Sequence, residues 1–405
     1  MHRRFVKLGV PFVAAGLVLG MLAGAASASN SHAAAKSYTI GYEGPLSGGN
    51  SALGLLQNNA VQVAIAFANQ GKTFGKLPFK LKYTQADDQG SGTNSPAAAN
   101  QLITNGNVVA VVGPAFSGAT KAAEPLFNAA HMATVSPSAT NPLLAQEGWN
   151  NFFRVVADDN VQGPSDADYI AKGLKAKSVY VVNDATAYGS GVAGATAGRL
   201  THDGVKVTAD TVDGTTQCSD GTGDVTEYPP EAAKIAAANP SVVFYGGYYC
   251  DFALLAKALR SAGYKGQLFS DDGSEDPHYI LDAGASVANG TEISSPGAAL
   301  GTTKLDKQFA SAFKAKAGFK VGEYSPESFD CTNVIIDAMK TLWAAKKPIT
   351  RANIASELHK ISYQGITKLV KFKTNGNIYG GTIYVYKVVN GSLTLLGTTK
   401  ALSAK

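Results

Sequence analysis

The sequence predicts an α/β protein made of two doubly wound parallel-sheet lobes, and three observations carry that expectation. Short β-rich runs alternate with helical patterns from Tyr38 to Ser136. The same alternation starts afresh past Phe152 and runs to Ser294. A chain of 405 residues, about 370 once an N-terminal leader is removed, is too long for one ordinary core and fits two domains. With 45% hydrophobic and 16% charged residues it has the apolar content to bury both cores.

The leader is read first. Arg3, Arg4 and Lys7 form a basic head, Val10 to Leu22 an apolar run, and Ala26-Ser27-Ala28 a small-x-small cleavage site, the pattern of a secretory signal peptide over residues 1–28. A later cut after Ala35 also ends in small residues. No second run of about 18 apolar residues follows, so the mature chain is expected to be soluble, and no cysteine stands at the cleavage region to carry a lipid. Removing the three basic leader residues takes the formal charge from +5 to +2, too near neutral to argue for nucleic acid or an anionic membrane. The expected partner is a small molecule.

In the first series, Tyr38–Tyr42, Phe79–Thr84, Val108–Val112 and Thr134–Ser136 read as strands, and Leu56, Ala60, Val63, Ala64 and Phe67 mark one face of a helix that Gly71 ends. In the second, strands are expected at Ser178–Val182, Val205–Thr211, Ser241–Tyr245, Gln267–Ser270 and Thr291–Ser294, with helices between the earlier ones. From Lys304 the pattern is helical through Leu342. Residues Leu369 to Leu396 alternate as hairpins, with Asn375-Gly376 and Asn390-Gly391 as turns.

Three cysteines lie in a chain bound for an oxidising compartment. Cys218 in a polar Gly-rich loop and Cys250 just after a strand are paired in this reading, a crosslink contributing roughly 3–4 kcal/mol in the chain-entropy model. Cys331, in a helical pattern, reads as a buried free thiol. With no Cys-x-x-Cys and six scattered histidines, neither a metal site nor a cofactor is expected.

Enzyme motifs are missing: there is no G-x-S-x-G, His-Glu-x-x-His or Walker loop. Gly189-Ser190-Gly191-Val192-Ala193-Gly194 matches a dinucleotide fingerprint, but Asn183 to Tyr188 separate it from its strand, so these glycines are read as letting a helix start close to the sheet. The pairs Asp87-Asp88, Asp158-Asp159 and Asp271-Asp272 are read as turn and cap residues rather than as a hydrolytic pair. Two joins, Val111 to Thr120 and Val135 to Pro142, run a strand straight into a helix with hydroxyls at the junction. Free N–H groups at a helix start bind anions and suit a carboxylate, yet Ser117 and Thr140 or Asn141 equally read as plain N-caps, with Pro142 in the first turn.

Taken together these residues resemble the leucine/isoleucine/valine-binding family of type I periplasmic binding proteins. The likeness runs through Gly44-Pro45-Leu46-Ser47-Gly48, Asp87-Asp88, Ser136-Pro137-Ser138-Ala139-Thr140-Asn141-Pro142, Gln162-Gly163-Pro164, Asn183-Asp184 with Tyr188-Gly189, and Tyr245-Gly246-Gly247-Tyr248, in order and spacing. The resemblance implies two lobes joined by a three-strand hinge, 37–155 with 297–373 and 156–296 with 374–400. It also implies an extracytoplasmic, monomeric, non-enzymatic protein that closes over a small amino acid, branched-chain or similar, and delivers it to an ABC permease; the alternative is a sensing module for amides, urea or aromatic acids. Family residues aligning with Ser117 and Thr140 hold the ligand carboxylate, and those aligning with Ser138, Asp272 and Tyr248 hold its ammonium. Ala139, Tyr188, Tyr324, Leu53 and Phe116 complete the implied site. This chain departs from the family with Asp272 where Glu is frequent, Leu53 and Tyr324 at side-chain-pocket positions, and Phe116 in place of an early disulfide cysteine.

Overall fold

The computed structural model describes residues 36–212 and 228–404. The leader and Cys218 lie outside the described residues. The first sheet holds β1 (Ser37–Gly44), β2 (Lys80–Asp87), β3 (Val108–Val112), β4 (Ala133–Ser136) and β5 (Phe152–Arg154), all parallel, in the order β2-β1-β3-β4-β5. The second holds β6 (Ser178–Asn183), β7 (Lys206–Thr211), β8 (Val242–Gly246), β9 (Gln267–Ser270) and β10 (Glu292–Ser295), parallel in the order β7-β6-β8-β9-β10. A small ladder, β11 (Tyr363–Gln364) with β12 (Leu369–Val370), precedes the hairpin of β13 (Tyr384–Val389) and β14 (Ser392–Thr398), which adds antiparallel strands beside β10. Asn390 and Gly391 both take positive φ in its turn, as a twist-matched two-residue hairpin requires. Strands β3 and β8 are buried along their whole length and rich in valine, because helices cover both faces of each sheet.

Helices α1 (Ser51–Asn69), α2 (Ser95–Thr104) and α3 (Ser117–Ala129) belong to the first series. The second carries α4 (Asp159–Asp168), α5 (Ala187–His202), α6 (Tyr228–Ala238), α7 (Tyr249–Ser261), α8 (Pro277–Ala283) and α9 (Ala285–Ala288). Then follow α10 (Lys304–Ala317), α11 (Ser325–Ala344), α12 (Arg351–Leu358) and α13 (Thr399–Ser403). The apolar stripe of α1 is present, but Leu56, Ala60, Val63, Ala64 and Phe67 pack on Phe309, Phe313 and Phe329 of α10 and α11. A neighbouring stripe, Val61, Ile65 and Ala68, meets the first sheet. Gly189 lies in α5, where a Cβ would stand 2.4 Å from the Gly246 carbonyl oxygen, so the glycine serves close helix–sheet packing.

The continuous helix expected from Lys304 to Leu342 is two helices. Gly318, at φ 83°, caps α10 in the left-handed conformation, and the chain turns through residues 319–324 before α11 starts. The apolar period spans the break because both helices pack on α1. The chain passes between the sheets three times, after β5, after β10 and between β12 and β13. Among the described residues no helix is long and apolar enough to cross a membrane.

Candidate functional site

Both sheets aim the carboxyl ends of their strands at one cleft, where open α/β sheets hold ligands, beside the points at which strand order reverses. In the first sheet the helix after β1 supplies Leu53 and Gln57, the loop after β3 supplies Phe116, and the loop after β4 supplies Ser138. In the second, the segments after β6, β8 and β9 supply Tyr188, Tyr248 and Asp272 with Gly273. Together with Tyr324 these residues line a single cavity. Only about 10 Å³ of it accepts the centre of a water molecule. The walls as closed leave room for a single water at most, so a solute enters only when they part.

Asp272 is the centre of the polar side. It is 2% exposed, receives the Tyr188 hydroxyl at 2.7 Å on Oδ1 and the Tyr324 hydroxyl at 2.6 Å on Oδ2, and no basic side chain lines the cavity. Burial raises its pKa above the ordinary carboxylate range, and the Tyr324 and Tyr188 hydroxyls draw it partly back. Asp271 beside it is likewise raised, by burial and by the Asp272 charge. The Gly273 N–H donates to the Tyr188 hydroxyl at 2.8 Å, and a Cβ there would stand 2.5 Å from the Gly247 carbonyl oxygen and 2.7 Å from the Tyr188 ring, so this contact requires glycine. Tyr324 takes φ 56°, strained for a bulky residue, and its hydroxyl reaches Asp272 from the segment ahead of α11.

The aromatic side joins the lobes. Phe116 stacks on Tyr248 with ring centroids 4.3 Å apart, and Tyr188 lies 5.1 Å from Tyr248. Asn141 Nδ2 donates to the Ala187 carbonyl at 2.5 Å, and the Tyr249 hydroxyl to that of Gly49 at 2.6 Å.

Seven of the ten ligand residues implied by resemblance line the cavity: Leu53, Phe116, Ser138, Tyr188, Tyr248, Asp272 and Tyr324. Ser117, Ala139 and Thr140 are buried but do not line it. Ser117 is not the N-cap of α3; Phe116 holds that place, and the Ser117 hydroxyl accepts the Asn141 N–H at 3.2 Å. The second junction leads into a five-residue 3₁₀ turn, Pro142–Gln146, capped by Asn141 through Leu143 N–H at 2.9 Å, so only one of the two joins starts a full helix. The loop ahead of this turn is anchored from below. Fully buried Arg154 donates through Nη1 to the carbonyls of Ala139 and Asn141, both at 2.8 Å, and through Nε to Asn377 at 2.7 Å. The Thr140 hydroxyl has no full hydrogen bond and leans toward Asp159, whose pKa burial pushes up to about 8.

Two lining residues escaped the sequence reading. Gln57 donates to the Ser138 hydroxyl at 2.9 Å and is itself fully buried; its signal was a polar run, Gln57-Asn58-Asn59, inside an apolar helix, one turn after Leu53. Gly273 gave none beyond its place after Asp272. Cys331 is a buried free thiol as expected, and Cys250 is disulfide-bonded.

A periplasmic-binding-protein family model matches residues 37–392. The chain is 30% identical to an amino acid binding protein of Pseudomonas aeruginosa over 81% of either chain. It is also 30% identical to Leu/Ile/Val-binding protein homolog 3 of Brucella melitensis, over 68% of this chain and 71% of that one. The crystal structure of a leucine binding protein, LivK, from Thermotoga maritima superposes with a TM-score of 0.77 at 24% identity, over 89% of this chain and 98% of the other, and shares the fold. The two sheets facing one cleft and the match along nearly the whole described chain agree: it belongs to the periplasmic binding proteins, as a type I solute-binding member of the leucine/isoleucine/valine-binding family.

Proposed function

We propose that this protein captures a small amino acid between its lobes outside the cytoplasm and hands it to an ABC permease. The observation carrying the reading is Asp272: a buried carboxylate at the wall of a cross-lobe cavity that no basic side chain lines, each of its oxygens held by a tyrosine hydroxyl. An ammonium supplies the missing positive charge, and charge-assisted hydrogen bonds in such a site are strong. The ligand's carboxylate goes to the opposite wall, toward Ser117, Ala139 and Thr140, which move into contact when the lobes reclose around it. Phe116, Tyr248 and Leu53 offer an apolar surface for the side chain. Residues on both lobes are needed, so ligand favours closure. The three crossings support a division into 37–155 with 297–373 and 156–296 with 374–400, and the leader is removed after Ala28. The mature protein acts as a monomer without catalysis or cofactor.

A thermal-shift screen of the mature protein against the twenty amino acids, urea, short amides and aromatic acids tests this. A ligand that binds only the folded state raises the melting temperature. Amino acids are expected to do so; a response confined to urea, amides or aromatic acids replaces the reading with that of a sensor for those solutes.

A further inference from the structure

Tyr324 lines a second cavity besides the cleft, of about 540 Å³, a size that fits a small organic ligand. Its wall carries two acids facing each other. Glu323 is 5% exposed; its Oε1 accepts the Ser295 hydroxyl at 2.6 Å, while Oε2 receives no donor. The group confronting it is the carboxyl of Glu275, an acceptor like itself. Two acceptors set against each other, Glu323 buried and Glu275 partly buried, require either a proton or a cation between them. Around these acids the wall is apolar, with Leu300, Ala310, Val321 and the Tyr386 ring, and the solvent side carries Lys314 and Lys320, both exposed. Negative groups inside, an apolar middle and positive groups at the mouth describe a ligand with its charges held apart.

We propose that this cavity is a second binding site, for a primary ammonium group on a short aliphatic chain, ω-amino acids above all, with Glu323 and Glu275 receiving the ammonium and Lys314 and Lys320 the anionic end. The site shares Tyr324 with the cleft, but none of Ser138, Tyr248 and Asp272 lines it. Its acids come from separate parts of the fold, Glu275 from the turn after β9 and Glu323 from the segment ahead of α11, so an occupant ties the two together. Without ligand the pair keeps a proton: burial raises both groups, and the Glu327 and Asp272 charges add to the effect, with Lys314 from α10 and Tyr386 from β13 facing the same space. An arriving ammonium displaces that proton.

Calorimetric titration of the mature protein with 4-aminobutanoate, n-butylammonium and butanoate tests the site. Both amines are expected to bind and butanoate is not. Glu323→Gln should weaken both amines at least about tenfold, as loss of one partner of a buried charge pair does. Lys314→Ala should weaken 4-aminobutanoate alone. The binding heat should vary with the ionisation enthalpy of the buffer, reporting the released proton. Glu275→Gln, with circular dichroism on every variant, guards against a folding defect in Glu323→Gln. Amine binding that survives Glu323→Gln and Glu275→Gln, or that is absent at millimolar concentration, overturns the proposal, as does equal binding of butanoate. Because the acids tested differ, failure here leaves the amino-acid reading of the cleft standing, and failure of the amino-acid screen leaves this site standing.

Discussion

Asp272 shows how one residue's chemistry is set by its neighbours. Two tyrosine hydroxyls fix both oxygens, which orients the carboxylate but leaves its charge uncompensated in a dry wall. An Asp272→Asn variant keeps the shape and removes the charge, and its amino-acid affinity is expected to fall by roughly 2–5 kcal/mol; calorimetry showing wild-type affinity takes Asp272 out of the site. The raised pKa adds a pH signature. Affinity for an ammonium ligand should drop on acidification, and should begin to drop above the pH at which an ordinary aspartate titrates, because Asp272 takes up its proton earlier.

Among the elements, the loop after β4 depends on a residue that lines no cavity. Arg154 sits at the end of β5, wholly buried, and holds two carbonyls of the 138–141 segment in place while reaching Asn377 from the third crossing. Arg154→Met is therefore expected to lower stability by about 3–5 kcal/mol, since it removes the Arg154 donors from the buried Ala139 and Asn141 carbonyls and the positive charge beside the Asp158 carboxylate together. Urea denaturation showing a loss below about 1 kcal/mol, the net worth of a single hydrogen bond, rejects this role. The break between α10 and α11 belongs to the same scale. Gly318 lets the chain turn, and the turn is what delivers Glu323 and Tyr324 to the interface between the lobes.

At the scale of the molecule, buried carboxyls outnumber buried bases among the described residues. Burial pushes Asp88 and Asp330 up to about 7, Glu124 and Asp159 to about 8 and Asp184 to about 6. Each holds its proton more tightly folded than unfolded. Below about pH 4 both states are protonated and these groups cost nothing; above it the unfolded chain ionises first, so their contribution is lost as pH rises through about 6 to 8. The melting temperature should thus be higher at pH 5 than at pH 8 by at least about 2–4 °C, the shift that 1 kcal/mol gives a domain of ordinary size. Glu124→Gln, which removes one such carboxyl beside Thr134 and Asn151, should flatten the slope. A melting temperature that rises toward pH 8 contradicts this account.

What the amino-acid order determined by itself was the alternation of strands and helices, the positions of the nine strands it marked to within three residues, the close-packing role of Gly189 in α5 and the Asn390-Gly391 hairpin turn, because period and turn chemistry are local. The same order, through resemblance, pointed to most of the cavity lining. Only the tertiary structure decided that Gln57 faces Ser138, that Ser117, Ala139 and Thr140 stand back from the cavity, that α10 and α11 are separate, and that Glu275 confronts Glu323 across 48 residues of chain. Those outcomes depend on which side chains meet after the two sheets close on each other, and contacts between distant segments leave no periodic trace in a sequence.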